Sequence, residues 1–345
     1  VFDGASFVMN SDRTISWQLP AWQENLAITH WKRRGDGWRC EQGNTCNLEI
    51  GLEATYQAMT LGLRDYVNKN GFPGVILGMS GGIDSALSAA VAVDALGSDR
   101  VHCVMMPSPY TSGESLEDAT VAANMLGVKI DTVPIGPAMK AFDNMLLDHF
   151  EGSEAGITEE NIQSRSRGLT LMALSNKLGA MVLSTGNKSE MSVGYATLYG
   201  DMCGGYSVLK DVYKMTVFEL SKWRNKLRPN GALGPEGAVM PERIISKPPS
   251  AELKPDQKDE DTLPPYEELD AILHGLIEDE ANVQEIASKG FDIEVVMRIW
   301  QMLDRAEYKR RQAPPGVKIG HRAFGRDRRY PITNSYEASY QINSN

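Results

Sequence analysis

The stretch that decides the fold is residues 74–85, which read GVILGMSGGIDS. The first six of these residues form the short apolar run of a buried strand, and a helical pattern continues from Ser85 through Leu96. Two adjacent glycines, Gly81 and Gly82, separate the two elements and allow the backbone to turn sharply. The sequence therefore predicts a strand, a tight loop and a helix in immediate succession.

The same alternation is repeated downstream of this stretch. Further strands are predicted at 101–107, 128–135 and 180–186, and helices at 114–126, around 137–149 and at 159–178. Strands that alternate with helices predict the α/β fold class, with a parallel twisted sheet covered by helices on both faces. A helix over residues 52–70 precedes this unit.

The two ends of the chain have different patterns. Beyond Asp211 the chain is predicted to be mainly helical, with helices at 214–227, 266–278, 282–289 and 292–312. The charged, Pro-rich residues 247–265 between them predict a mobile loop. Upstream, short apolar runs within residues 1–31 predict strands, and the polar, Gly-rich residues 35–50 predict a linker.

Composition excludes several classes of function. The net charge of -10 argues against broad binding of nucleic acid. No apolar run approaches the roughly 20 residues of a membrane helix, so no membrane partner is expected. The cysteines show no metal-ligand spacing and predict free thiols in a reducing, cytoplasmic compartment; they are Cys40, Cys46, Cys103 and Cys203.

The loop between the first strand and its helix has the properties of a phosphate site. Free N–H groups at the helix start and two serine hydroxyls would face an anion such as pyrophosphate. The Walker lysine and the GxGxxG pattern are both absent, so neither of those loops is predicted. The loop that would hold this pyrophosphate group consists of Gly78, Met79, Ser80, Gly81, Gly82, Ile83, Asp84 and Ser85.

A carboxylate in this loop needs an explanation, because it repels phosphate. Magnesium would resolve the conflict by bridging Asp84 to phosphate oxygens, and the alternative is that Asp84 caps the following helix. The motif SGGIDS (residues 80–85) resembles the loop of the N-type ATP pyrophosphatases. That family implies a twisted sheet of about five parallel strands, the adenine nucleotide alpha-hydrolase-like fold.

Three further segments carry candidate ligands. Thr185 and Glu190 follow a predicted strand, where they would contact ATP and magnesium, although ordinary loop chemistry is the alternative. Lys214 would reach a phosphate, unless it is a surface lysine. Asn161 and Arg165 share one helix face and would bind an anionic or hydroxylated ligand, unless they belong to a solvated helix start.

Taken together, these segments resemble the NAD synthetases from about Leu52 to Tyr330. The resemblance is specific, because ENIQSR (160–165), STGNKSE (184–190) and EYKRRQAPPG (307–316) are not shared by the sister families. It implies magnesium at Asp84 and Glu190, and catalytic roles for these two residues and Lys214. It also implies ATP contacts from Thr185, Lys214 and Ser250, and deamido-NAD contacts from Asn161, Arg165, Glu190, Tyr195, Ala196, Thr197, Leu198 and Lys309.

One position departs from the family pattern. Leu198 stands where the short, ammonia-dependent synthetases carry a lysine, so backbone atoms would have to replace that contact. The resemblance implies formation of NAD from deamido-NAD with ATP as co-substrate, with ammonia or glutamine as nitrogen source and a homo-oligomeric enzyme. An adenylate intermediate, AMP and pyrophosphate are implied as well.

The N-terminal residues resemble the last strands of a nitrilase-like glutaminase domain, the domain that precedes the synthetase domain in two-domain family members. The Glu-Lys-Cys triad of that domain cannot be assigned here. The predicted organisation is a glutaminase remnant at 1–34, a linker at 35–50, a synthetase domain at 51–330 and a tail at 331–345. The sequence was therefore expected to be a portion of a longer chain.

Three alternatives compete with this interpretation. A GMP synthetase-like ligase shares the phosphate loop, but ENIQSR and STGNKSE favour NAD synthetase. A non-catalytic nucleotide sensor would not need both Asp84 and Glu190. A tRNA-thiolating enzyme would need reactive cysteines near the loop and a basic surface, and the sequence predicts neither.

Overall fold

The computed structural model describes residues 1–35, 37–254 and 257–333. Its strands are β1 (Phe7–Met9), β2 (Ile15–Gln18), β3 (Trp31–Arg34), β4 (Gly37–Cys40), β5 (Val75–Gly78), β6 (Val101–Met105), β7 (Lys129–Thr132), β8 (Met181–Ser184) and β9 (Tyr206–Ser207). Its helices are α1 (Gly51–Lys69), α2 (Ile83–Leu96), α3 (Gly113–Leu126), α4 (Gly136–Leu146), α5 (Ile157–Leu178), α6 (Lys188–Val193), α7 (Lys214–Lys226), α8 (Glu242–Ser246), α9 (Tyr266–Ile277), α10 (Val283–Ala287), α11 (Ile293–Arg305) and α12 (Glu307–Arg310).

Strands β5 to β9 form the central sheet, in the order β7-β6-β5-β8-β9, and every neighbouring pair in it is parallel. The chain builds outward from β5 to β7 and then returns to β8 on the other side of β5. The strand order therefore reverses between β5 and β8. Ligands of doubly wound sheets bind at the carboxyl ends of the strands at such a point.

Successive side chains of a strand point to opposite faces, and the two faces of this sheet have separate cores. Leu77 packs in the core that also holds α1 and α2, whereas Ile76 packs with Leu171 of α5 in the core of the other face. Burial on both faces explains why β5 is an uninterrupted apolar run. The predicted α/β class, with helices on both faces, is confirmed.

The C-terminal helices form a third core beside the sheet. Leu269 and Leu273 of α9, Ile286 of α10, and Val296 and Ile299 of α11 are buried together in it. This part includes Val193 at the end of α6, so the helical region packs directly against the segment that follows β8. The predicted helical C-terminal part is confirmed.

Several local expectations were wrong. The predicted linker at 35–50 contains strand β4, which pairs with β3 in an antiparallel hairpin. The predicted helix 292–312 is broken at Ala306 into α11 and α12. Helices α6 and α8 and the short strand β9 were not predicted. The predicted tail lies outside the described residues from residue 334 onward.

No helix among the described residues is long and apolar enough to cross a membrane.

Candidate active site

The loop between β5 and α2 is packed too tightly for a side chain at its centre. Gly81 has a φ of +83°, and a Cβ added there would lie 2.2 Å from the backbone oxygen of Ser115. Gly82 precedes α2 and is exposed. The helix start therefore faces open space, as an anion site requires.

The two serine hydroxyls of this loop bond to the loop itself. Ser85 Oγ donates to the carbonyl oxygen of Gly82 at 2.9 Å and accepts the backbone N–H of Ser80 at 3.2 Å. The Oγ atoms of Ser80 and Ser85 lie 3.1 Å apart. These bonds hold the loop in its curved form, in contrast to the expectation that both hydroxyls are free to donate to a ligand.

Asp84 lies in the first turn of α2 but does not cap it. The residue before the helix is Gly82, and the Asp84 carboxylate points to other segments. Its Oδ1 accepts an N–H of Asn187 at 2.9 Å, and its Oδ2 contacts the ammonium of Lys214. The alternative of a helix-capping aspartate is therefore excluded.

Lys214 joins the two predicted metal carboxylates. Its Nζ contacts Asp84 and lies 3.2 Å from Oε1 of Glu190. The lysine side chain is only 2% exposed, so it is not a surface lysine. The ring of Tyr266 lies beneath the ammonium, with its centroid 5.1 Å from Nζ. Residues that the sequence places after β5, after β8 and at the start of α7 thus meet in one cluster.

The cluster carries more negative than positive charge. Burial, opposed by Lys214 and reinforced by Asp84 and Asp259, raises the pKa of Glu190 to about 8. Burial alone would lower the pKa of Lys214, but Asp84 and Glu190 raise it above its ordinary value. Lys214 therefore remains a cation at neutral pH, whereas Glu190 holds a proton for most of the time.

Asp259 is a site residue that the sequence reasoning missed. It lies in a short 3-10 turn within the predicted mobile loop at 247–265, yet it is only 5% exposed. Its two carboxylate oxygens accept hydrogen bonds from the hydroxyls of Tyr195, at 3.2 Å, and Tyr266, at 2.9 Å. The charged, Pro-rich sequence of this segment gave no indication that one of its acidic side chains is buried.

A second group of predicted residues meets beside α5. The hydroxyl of Thr197 donates to Oδ1 of Asn161 at 3.0 Å, and Nε of Arg165 donates to the backbone oxygen of Leu198 at 3.2 Å. Asp201 fastens the same loop, because it accepts the N–H of Thr197 at 2.7 Å. Asn161 and Arg165 therefore bind the loop at 197–198 rather than lying at a solvated helix start.

Lys309 reaches this loop from α12. Its Nζ donates to the backbone oxygens of Gly194 and Ala196, both at 2.7 Å. Burial lowers the pKa of this lysine. Lys309 thus holds the backbone that leads into residues 195–198, from a short helix rather than from the end of a long one.

Ser250 and Thr185 lie apart from these contacts. The hydroxyl of Ser250 donates to the backbone oxygen of Gln257 and shapes its own loop. Nearby Glu252 accepts hydrogen bonds from the hydroxyls of Ser112, at 2.9 Å, and Ser115, at 2.7 Å, which ties this loop to the start of α3. Thr185 follows β8 directly and is partly exposed.

Within the described ranges, no group of three or more His, Cys, Asp or Glu residues is arranged to hold a metal ion. The cysteines at 40, 46, 103 and 203 are all free thiols. Any metal at this site would therefore depend on two carboxylates and on oxygens of the ligand.

The reversed strand order places the loop at 78–85 and the cluster of Asp84, Glu190 and Lys214 at the carboxyl ends of the strands, where proteins of the doubly wound α/β class bind ligands. The NAD synthase family model matches residues 55–313. The chain belongs to the NAD synthase family, and the predicted family resemblance is confirmed.

Relatives extend the similarity to nearly the whole chain. A glutamine-dependent NAD(+) synthetase from Rhodobacter capsulatus is 50% identical over 336 residues, which are 97% of this chain and 61% of the relative. The solved glutamine-dependent NAD+ synthetase from Acinetobacter baumannii, in complex with ADP, is 47% identical with a TM-score of 0.67; the match covers 98% of this chain and 60% of that one. The chain thus spans about three fifths of the length of such relatives.

A shorter solved protein is also similar. NMN synthetase from Francisella tularensis is 27% identical with a TM-score of 0.62, and the match covers 76% of this chain and 96% of that one.

Proposed function

We propose that this chain catalyses the ATP-dependent amidation of deamido-NAD to NAD, with release of AMP and pyrophosphate. The observation that carries the proposal is the meeting of Asp84, Glu190 and Lys214 beside the phosphate loop. Two partly exposed carboxylates that share one buried ammonium at a helix start suit a nucleoside triphosphate that arrives with a cation. Membership of the NAD synthase family supports the choice of reaction.

The proposed chemistry has two steps. An oxygen of the nicotinate carboxylate forms a bond to the α-phosphorus of ATP, and the bond to the bridging oxygen breaks, so that pyrophosphate leaves with the electron pair. Ammonia then attacks the activated carbonyl carbon, and AMP leaves. The loop N–H groups and Lys214 would hold the departing phosphates, because phosphoryl transfer depends mainly on positioning and charge neutralisation.

The carboxylate oxygens of Asp84 and Glu190 are suitable ligands for magnesium. Asp84 and Glu190 both contact one ammonium, and their mutual repulsion contributes to the raised pKa of Glu190, which is about 8. A hard cation held by these two carboxylates would relieve that repulsion and neutralise phosphate charge. Lys214 would then be free to turn from the carboxylates towards the phosphates.

The loop at 195–198 is proposed to bind deamido-NAD. Its backbone is fixed by Lys309 and Asp201, and Asn161 and Arg165 meet it from α5. Backbone groups at Leu198 would supply the contact that a lysine makes in the short synthetases. Glu190 would lie between this subsite and the ATP subsite.

The decisive experiment is product analysis with ATP, magnesium, ammonium and deamido-NAD. We expect AMP, pyrophosphate and NAD in equal amounts. ADP and phosphate as main products would contradict the assignment. Because one similar protein is an NMN synthetase, the mononucleotide analogue of deamido-NAD should be assayed in parallel, and a higher kcat/KM for it would change the proposed substrate.

The nitrogen source can be tested with the same assay. Ammonia is the proposed nucleophile, with glutamine as its source in the whole protein. The chain of 345 residues is expected to use ammonium and to fail with glutamine, because no glutaminase triad was assigned in it. Efficient turnover with glutamine would reveal a hydrolase site that the sequence reasoning missed.

A homo-oligomer in the cytoplasm is also proposed. Large apolar side chains are exposed along α4, α5 and the segment between them, among them Met145 at 70%, Leu147 at 69% and Leu169 at 65%. Apolar surface of this kind marks protein interfaces. Light scattering tests the oligomer, and a monomeric mass would contradict it. Cell fractionation tests the compartment.

A further inference from the structure

Helix α7 begins in the protein interior, where its first N–H groups need partners other than water. Tyr213, which precedes the helix, contributes no side-chain cap. Instead, the N–H of Lys214 donates to Oγ of Ser189 at 2.8 Å, and the N–H of Met215 donates to Oδ2 of Asp270 at 2.8 Å. The start of α7 is thus capped by residues of α6 and α9.

The two capping groups are joined to each other. The hydroxyl of Ser189 donates to Oδ1 of Asp270 at 2.5 Å, so both oxygens of this carboxylate are used. Ser189 is fully buried and Asp270 is 8% exposed. A negative charge is favourable at a helix start, and a charge-assisted hydrogen bond is stronger than a neutral one. Asp270 therefore fastens α6 and α7 together from α9.

We propose that Asp270 is a positioning residue for the phosphate site, because it fixes the helix start that presents Lys214 against the helix that presents Glu190. Lys214 is the first residue of α7, and Glu190 follows Ser189 directly in α6. A shift of either helix start would separate the ammonium from the carboxylates. The expected effect on catalysis rests on the proposed function, whereas the expected effect on the position of the Lys214 side chain does not.

The ionised form of Asp270 is the one that supports these bonds. Burial raises the pKa of this carboxyl to about 6, while the Met215 N–H, the Ser189 hydroxyl and the Lys214 charge lower it. The group is therefore mainly a carboxylate at neutral pH. Replacement by asparagine keeps its shape and removes its charge and one of its two acceptor oxygens.

The first test measures how accessible Lys214 is to an amine-reactive acetylating reagent, site by site, by mass spectrometry of the full chain. Asp270→Asn and Ser189→Ala are the test variants. Ser221→Ala is the matched control, because Ser221 is a buried serine of α7 whose hydroxyl donates only to Val217, at 2.8 Å. Lys188, which is fully buried, reports on general unfolding within the same molecule.

We expect Asp270→Asn to raise the labelling rate of Lys214 by about tenfold, a shift of ~1.4 kcal/mol in local opening, with Lys188 still protected. Ser189→Ala should have a smaller effect in the same direction, and Ser221→Ala none. Unchanged labelling of Lys214 in Asp270→Asn would overturn the proposal. An equal rise at Lys188 and Lys214 would also overturn it, because it would indicate loosening of the whole protein.

The second test is a double-mutant cycle in the pyrophosphate-release assay. Asp270→Asn should lower kcat by about tenfold, ~1.4 kcal/mol, in the wild-type chain and cause no further loss in a Lys214→Met background. Equal losses in both backgrounds would show that Asp270 does not act through Lys214. If the wild-type chain releases no pyrophosphate, the proposed function fails, and the labelling result alone decides the role of Asp270.

Discussion

Helix α2 carries an aspartate near each end, and the surroundings of the two differ: Asp94 is fully buried, whereas Asp84 is partly exposed. Asp94, near the end of the helix, has a side chain 1% exposed and accepts two hydrogen bonds from Arg224, at 2.6 and 3.0 Å. The hydroxyl of Tyr56 donates to it at 2.6 Å. Asp84, at the start of the helix, shares one ammonium with Glu190, and Asp259 adds a third negative charge nearby.

The difference separates a cluster suited to stabilising the fold from one suited to binding a charged ligand. Around Asp94, one carboxylate faces one guanidinium, so the charges are balanced, and two further N–H groups of the guanidinium donate to the backbone oxygens of Pro235 and Gly237. Around Asp84, burial and excess negative charge raise the pKa of Glu190 to about 8. A site with excess negative charge is stabilised most when a cation binds to it together with phosphates.

The largest effect is expected where the charges are balanced. Asp94→Asn should reduce the free energy of unfolding by roughly 3–5 kcal/mol, because it leaves the Arg224 guanidinium buried without its counter-ion. Urea denaturation measures this loss. Asp65→Asn is the control, since its pair with Lys69 is exposed and should contribute ~0–1 kcal/mol. A loss below ~1 kcal/mol for Asp94→Asn would remove the distinction between the two clusters.

At the other end of α2, substitution should affect turnover instead of stability. Asp84→Asn and Glu190→Gln are expected to lower kcat by roughly 10²–10³, comparable to the loss of one transition-state stabiliser. Neither change opens a core cavity, so the folded state should survive, as circular dichroism can verify. Near-normal pyrophosphate release in either variant would reject the proposed metal role.

A smaller effect is expected at the deamido-NAD subsite. Lys309→Ala removes the ammonium that holds the backbone at Gly194 and Ala196, and it should weaken deamido-NAD binding by roughly 10- to 100-fold, at ~1.4 kcal/mol per tenfold. Lys318→Ala is the control, because Lys318 pairs with Asp327 at the surface. Titrations of deamido-NAD and ATP measure both affinities. Loss of ATP affinity alone would reassign Lys309 to the other subsite.

The smallest effect concerns pH. The pKa of Glu190 is about 8 in the folded chain, above its ordinary value of 4.5, so the folded state binds this proton more tightly. Its contribution is fully present below pH ~4.5 and is lost as pH rises to about 8. Tm without ligands should therefore fall as pH rises across this window.

Glu190→Gln is the matched variant for this measurement, since it cannot ionise. Its Tm should depend less on pH between ~4.5 and 8 than that of the wild-type chain. Identical pH dependence of the two Tm values would show that the pKa of Glu190 is not raised in the folded chain.

Local chemistry made much of the fold and part of the candidate site predictable. Two glycines between an apolar run and a helix specify a strand–loop–helix unit whatever surrounds it, and the alternation of elements then implies a parallel sheet. The strand ends place Asp84 and Glu190 at one edge, because all strands of the sheet point the same way. The individual ligand roles of these residues, and the proposed division into domains, remain predictions.

Other features depend on contacts distant in sequence. Asp259 belongs to a charged segment typical of solvated loops, yet it is buried and accepts hydrogen bonds from the hydroxyls of Tyr195 and Tyr266. Helix α12 separates from α11 at Ala306, in a segment whose local pattern is continuous. Local periodicity indicates which side chains prefer the interior. It does not indicate which residue, distant in sequence, will form a hydrogen bond with a buried polar side chain.

The sequence by itself determined the strand–loop–helix unit at 74–96, the parallel sheet and the family, because each depends on short-range pattern and on residue types fixed at close spacing. The tertiary structure alone decided that Lys214 is buried between Asp84 and Glu190, and that Asp270 caps the helix which carries it. Both features depend on burial, because burial sets the strength of the interaction between two charges. The burial of a charge pair depends in turn on every segment packed around that pair.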